Sequence, residues 1–278
     1  MTNKLSGLKD LLWAAGIAVC ILALLIGFFF AAIGRYAGER ERPVMVLSSA
    51  SSGSKNDKSG IDAGVTGSGN LATVSDGSLK TLPGSTDAGQ GYIDSLTFLA
   101  DSSLSSLKTS GLTAGQVWVG SGGLSMSDIS GWTIVYPGDG SAISPANAAM
   151  VAKPSVLILA IGSDGAVGIN QEDFISGYEN LIRGVLGASP ETRVVCCSVF
   201  PVTDAYTGAD GLDSAGAEQI NGWIQQVCID TGAWYADIAY NLTAEGKLIG
   251  QYADSDGKGL SGTGLSAVLS WFRTHALN

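Results

Sequence analysis

Histidine is almost missing from this chain: of 278 residues, only His275 carries an imidazole. Four cysteines and one histidine supply no paired spacing for zinc, so neither a metal nor another cofactor is expected. Charge is also scarce, at 14% of residues, and basic side chains are outnumbered 15 to 25. The resulting net charge of −10 would be repelled by a phosphate backbone, which excludes nucleic acid as an expected partner. No internal repeat is visible.

What the chain has instead is a long apolar run. Residues 11–34 contain no charged side chain. As a helix they would span about 36 Å, enough to cross a bilayer core with some tilt. Trp13 would sit near one interface, and Arg35 and Tyr36 at the other. A signal peptide has a shorter apolar region, and a buried core helix of this length rarely lacks a polar face. The run reads as a retained single-pass anchor. Lys4 and Lys9 precede it; Arg35, Arg40 and Arg42 follow it. That bias by itself mildly favours a cytoplasmic C-terminal side.

Residues 35–90 are juxtamembrane sequence and a Ser-, Gly-, Asp- and Thr-rich stretch, as in Ser48-Ser49-Ala50-Ser51-Ser52-Gly53-Ser54. Such composition buries too little apolar surface to offset ordering entropy and reads as a flexible tether. The organisation expected is therefore a short tail (1–10), an anchor (11–34), a linker (35–90) and one domain (91–278). That domain is long enough for a full core.

From residue 91 onward, apolar runs alternate with amphipathic stretches. Strands are expected at Leu96–Ala100, Val117–Val119, 155–162, 193–200 and, as a short one, 233–235. The run at 155–162 is apolar on both faces, as a central parallel strand requires. Phe174, Tyr178, Leu181, Ile182 and Val185 recur at helical spacing, with Asn170 or Asp173 at the start. Ala217, Ile220, Ile224, Val227 and Cys228 mark a second helix, and Leu265, Val268, Leu269 and Phe272 a third. Strands alternating with helices predict an α/β fold, a three-layer α/β/α sandwich around a mainly parallel sheet. Ligands in such folds lie beyond the C-terminal strand ends. Cys196 and Cys197 fall in a buried strand and Cys228 on a helix. They read as buried free thiols, with a disulfide from Cys228 to one of the pair as the alternative.

Phe98-Leu99-Ala100-Asp101-Ser102-Ser103-Leu104 resembles the first block of SGNH/GDSL-type esterases, with Ala100 in place of the block's glycine. Gly123-Leu124-Ser125 resembles the second block, and Ile161-Gly162-Ser163-Asp164 occupies the place of Gly-x-Asn-Asp. Val199-Phe200-Pro201-Val202 and Tyr235-Ala236-Asp237 resemble two later strand endings. Asp256-Gly257-Lys258-Gly259 resembles the Asp-x-x-His block. The resemblance runs in order from about residue 91 to 277 and implies a flavodoxin-like SGNH sheet. It also implies that Ser102 is the nucleophile position, Asp256 the triad acid, and Gly123 an oxyanion donor. It places the domain outside the cytoplasm, at a cell surface of bacterial type.

The departures fall on the chemistry. Gly259 stands where the triad histidine belongs, and the oxyanion asparagine is replaced by Asp164 or, in another register, Ser163. A hydroxyl nucleophile needs an adjacent base, and a carboxylate at an oxyanion site would repel the charge it should stabilise. His275 ends the last helix, about 20 Å from the catalytic segment along its axis. The expectation is a catalytically inactive, membrane-tethered domain that binds an envelope glycan or a protein partner. A weak esterase or deacetylase on acylated envelope polysaccharide, and a purely structural component, are the alternatives. Trp132 and Tyr136, in a Gly-rich stretch, are the candidate ligand aromatics.

Overall fold

The computed structural model describes residues 77–208 and 210–277. The apolar run at 11–34, its flanking basic residues, Cys20 and most of the linker lie outside the described residues. Among the described residues no helix is long and apolar enough to cross a membrane.

Six strands form the main sheet: β1 (Lys80–Thr81), β2 (Thr97–Ala100), β3 (Gln116–Val119), β6 (Val156–Ala160), β7 (Arg193–Cys197) and β8 (Trp234–Ala236). Their spatial order is β1-β8-β7-β6-β2-β3, and every pairing is parallel. Without the edge strand β1, the order from the other edge is second, first, third, fourth, fifth. That is the flavodoxin-like winding. Two small antiparallel pairs, β4 (Ile134–Val135) with β5 (Ala142–Ile143) and β9 (Thr243–Ala244) with β10 (Lys247–Leu248), stand outside the sheet.

Strand alternation sorts the core into two layers. Leu99, Leu157, Leu159, Val194 and Cys196 point to one face, with Phe174, Tyr178, Ile182 and Val185 of α3 (Gln171–Ala188) and Ile220, Ile224 and Cys228 of α4 (Ser214–Thr231). A shorter helix, α2 (Pro145–Ala152), adds Ala148 and Ala149 to that layer. Phe98, Ala100, Ile158, Val195 and Cys197 point to the other face, with Ile93 of α1 (Gly89–Ser95) and Leu265, Val268 and Phe272 of α5 (Gly262–Arg273). The expected three layers are present. All five residues of β6 are buried, which fits its two-sided apolar run.

Local chemistry sets the helix ends. The side chains of Asn170, Asp213 and Ser261 accept from the backbone N–H three residues on, capping α3, α4 and α5. Gly232, at φ 74°, closes α4 in the left-handed region. Of the two expected starts for α3, Asn170 is the cap.

The domain begins earlier than residue 91. Lys80 and Thr81 pair with Trp234 and Tyr235, and Leu82 N donates to the Tyr235 carbonyl at 3.2 Å. Ser85 N and Ala88 N donate to the Thr274 and Arg273 carbonyls at the end of α5. The polar texture of residues 77–90 hides an edge strand because such a strand buries few side chains; here Leu82 carries the burial.

Candidate functional site

Strands β2 and β6 lie side by side with Ala100 opposite Ala160, and Asp101 N extends the pairing to the Ala160 carbonyl at 3.0 Å. The chain leaves these two strands toward opposite sides of the sheet, so their following loops diverge and open a crevice. Ser102 and Asp164 stand at that point. Ser102 is exposed. Its backbone N–H donates to Asp164 Oδ2 at 2.9 Å and its hydroxyl donates to Asp164 Oδ1 at 2.6 Å.

Of the two residues at the place of the asparagine, Asp164 faces Ser102 and Ser163 turns inward. Ser163 N and Oγ both donate to Asp101 Oδ2 at 2.8 Å. Ser103 N and Oγ donate to Asp101 Oδ1 at 3.0 and 2.6 Å. Asp101 is fully buried; burial and the Asp164 charge raise its carboxyl above the usual range, against the pull of the two serines. Its four accepted bonds tie the loop after β2 to the loop after β6. It is a brace, not a reacting group.

The group that completes the site is Lys258, a residue the sequence reading passed over. Its Nζ lies 2.7 Å from Asp164 Oδ1 and 2.8 Å from Asp210 Oδ2. Burial alone would lower the ammonium, but the contacts with Asp164 and Asp210 outweigh it and raise Lys258 well above its ordinary value. Burial would likewise raise Asp164; the bonds from Lys258 and Ser102 win, and its carboxyl is held below the usual range. Asp210 is held low by Lys258, Tyr206 and the Leu212 N–H in the same way. Tyr206 donates to Asp210 Oδ1 at 2.6 Å, and burial together with that bond pushes the phenol up to about 12.

Asp256 does not take the part of a triad acid in this arrangement. Its Oδ1 accepts from Lys258 N at 2.7 Å and from Gly259 N at 3.0 Å, closing its own turn. Asp254 lies beside it, its Oδ1 accepting from Asp256 N at 3.1 Å. Burial and the contact with Asp256 raise Asp254, and that same contact holds Asp256 low. Gly259 leaves no void beside it. A Cβ on Gly259 would lie 2.4 Å from Asp254 Oδ2, so the missing side chain's space is taken by a carboxylate.

The second block reaches the same crevice through its loop. Met126 N donates to the Asp164 carbonyl at 2.8 Å, and Gly165, at φ 62°, has its would-be Cβ position 1.9 Å from Ser125 Oγ. Only glycine fits there. Gly123 is exposed, at φ 93°. The loop after β7 joins through Thr203 N, which donates to the Gly257 carbonyl at 2.9 Å.

The expected ligand aromatics are placed differently. Trp132 is only 5% exposed and its indole N–H donates to the Ser125 carbonyl at 2.8 Å, so it is a core residue bracing the second block. Tyr136 is half-buried against the same core. The hydrophobic layer under this loop claims both rings. His275 stacks on Trp271 with ring centroids 4.0 Å apart, and its Nδ1 lies 2.8 Å from the Trp271 carbonyl. It is held on its own helix end.

Chemically, the cluster is a closed set of charges. The proton acceptor nearest the Ser102 hydroxyl is a carboxylate held below its ordinary range, and the only amine present is held protonated. Neither has the near-neutral affinity that makes an efficient general base. Lys258, Asp210 and Tyr206 were hidden in the sequence because they come from two separate loops, the one after β7 for Tyr206 and Asp210 and the one before α5 for Lys258. The one local signal was a lysine two residues after Asp256 in a charge-poor acidic chain.

No family model matches the sequence, and no curated protein does. Solved structures do show likeness in chain path. A protein assigned as a GDSL-like lipase from Parabacteroides merdae is 13% identical, covering 70% of this chain and 98% of that one, with a TM-score of 0.46. One assigned as an SGNH hydrolase from Slackia heliotrinireducens is 15% identical over 65% and 97%, at 0.44. A GDSL-like lipase from Bacteroides thetaiotaomicron is 11% identical over 68% and 89%, at 0.41. At these values none of them lends a residue role to this chain.

Proposed function

We propose that this protein is a membrane-tethered SGNH hydrolase-like domain whose esterase site is replaced by an ion-pair cluster, and that it works as an envelope binding module. One observation carries the inactive half of this reading: Ser102 Oγ and Lys258 Nζ both bond to the same oxygen of Asp164. The hydroxyl is thus bonded to a weakly basic group, and the space a histidine would use beside Gly259 is filled by Asp254. Losing a triad member costs about 10⁴–10⁶ in turnover, and losing an oxyanion donor a further 10² or more.

The binding half rests on a cavity of about 610 Å³ between α4, the end of β8 and the β9–β10 hairpin. Glu218, Gln225, Asp237 and Glu245 line it, Asn221 spends its carboxamide on the Val199 N–H and carbonyl, and Tyr240, 75% exposed, stands at its edge. Carboxylates and carboxamides accept and donate to hydroxyl groups, and an exposed phenol offers a face for a sugar ring. The lining carries no cation, which favours a neutral glycan over an anionic one.

Two experiments test the reading with the full-length protein in detergent. A fluorophosphonate should leave Ser102 unlabelled and p-nitrophenyl acetate should be hydrolysed no faster than by the Ser102→Ala variant. Rapid labelling of Ser102 would establish an activated serine and the weak-esterase alternative. On a glycan array, the wild type should bind neutral saccharides and Tyr240→Ala should bind them at least tenfold more weakly. No binding by either would remove the glycan role.

A further inference from the structure

Three cysteines lie in the described domain and all are buried as free thiols: Cys196, Cys197 and Cys228. Strand alternation separates the adjacent pair. Cys196 points into the layer packed by α3 and α4, where Cys228 also lies; Cys197 points through the sheet to the layer packed by α1 and α5. The Cys228 thiol donates to the Trp234 carbonyl at 3.6 Å. Trp234 precedes Tyr235, the residue directly opposite Cys196 in the β7–β8 ladder. Neighbouring strands are about 4.8 Å apart. The Cys228 sulfur thus rests on the strand next to that of Cys196, on the same side of the sheet. The Tyr178 hydroxyl, buried in the same layer, makes no hydrogen bond.

We infer that Cys196 and Cys228 are a disulfide-forming pair that cross-links β7 to α4, and that Cys197 is excluded from it by the pleat. A bond between them would stay within one layer of the core, on the side of the sheet from which Cys197 is shut out. In the reaction both thiols lose a proton and the pair loses two electrons, forming one S–S bond. The electrons pass to a disulfide oxidant such as oxidised glutathione, which is reduced to two thiols. Burial means the bond forms while α4 is still closing over β7 during folding.

The test uses full-length protein carrying Cys20→Ser, unfolded, refolded in a mixture of reduced and oxidised glutathione, alkylated, and mapped without reduction. The expected product links the peptide of Cys196 and Cys197 to that of Cys228, with fragmentation between residues 196 and 197 assigning the bond to Cys196. The cross-link should survive Cys197→Ala and disappear in Cys196→Ala. The oxidised form should have a folding equilibrium constant larger by on the order of a hundredfold, read from denaturant midpoints. If either single variant fails to refold, the fragment ions of the wild-type product decide alone. A bond assigned to Cys197, or three alkylated thiols after refolding, would overturn the inference.

Discussion

Lys258 is the residue on which the site's electrostatics turn. Replacing it with methionine would leave Asp164 and Asp210 facing each other without a cation. An expected loss of about 2–4 kcal/mol follows, because an uncompensated and largely desolvated charge remains. Urea unfolding measures it, and Asp164→Asn in the same background should recover part of it. A loss of only about 0.5 kcal/mol, the size seen for exposed pairs, would mean the cluster is solvated. The pH dependence follows from the same contacts. Lys258 is raised, so its contribution is present below its unfolded value of about 10.4 and lost as pH rises through the higher folded value. Asp164 and Asp210 are lowered, so theirs is present above about 3.9 and lost as pH falls through the folded values. Asp101 and Asp254, both raised, work in the opposite sense and gain stability on protonation. Stability from the cluster should therefore form a plateau between these limits, checked by unfolding across the pH range. At Gly259, substitution by histidine forces a Cβ against Asp254; Gly259→His should lower stability and restore no esterase activity in a p-nitrophenyl acetate assay.

At the scale of elements, β1 is the piece with the clearest consequence. A chain beginning at residue 91 would leave the β8 edge unpaired and lose the burial of Leu82 and the bonds from Ser85 and Ala88 to the end of α5. It should be less stable than one beginning at residue 77 by about 2–4 kcal/mol, and more prone to edge pairing and aggregation. Thermal unfolding and light scattering of the two chains compare them directly. The helices offer a second contrast. Gly264 in α5 would place a Cβ 2.3 Å from the Tyr252 carbonyl, whereas Gly187 near the end of α3 has nothing within 4 Å. Gly264→Ala should cost about 1–3 kcal/mol; Gly187→Ala should be neutral or gain about 0.5–1 kcal/mol. The order of the two effects, read by urea midpoints, tests the placement of the α5 start.

For the whole molecule, the proposed anchor at residues 11–34 and the domain from residue 77 onward should be separable. The full chain should stay in the membrane fraction through a carbonate wash, and release into the supernatant would remove the anchor from the proposal. The domain itself should remain soluble and folded without the anchor, provided it keeps the residues from 77 onward.

Much of the fold was legible in the residue pattern. The two-sided apolar run at 155–162 marked the central strand, and the spacing of Phe174, Tyr178, Ile182 and Val185 marked α3, because burial on one or both faces leaves a period in the sequence. The absent imidazole was legible too, since a single histidine leaves no choice of position. What only the tertiary structure decided were contacts between loops. Asp164 rather than Ser163 meets Ser102; Lys258 bridges Asp164 and Asp210; Asp256 closes its own turn; Trp132 is core; and residues 80–81 join the sheet. None of these has a period. The contacts among Ser102, Asp164, Lys258 and Asp210 depend on which loops the parallel sheet delivers to the same end, where polar groups find partners tens of residues away in the chain, as burial of a charge requires.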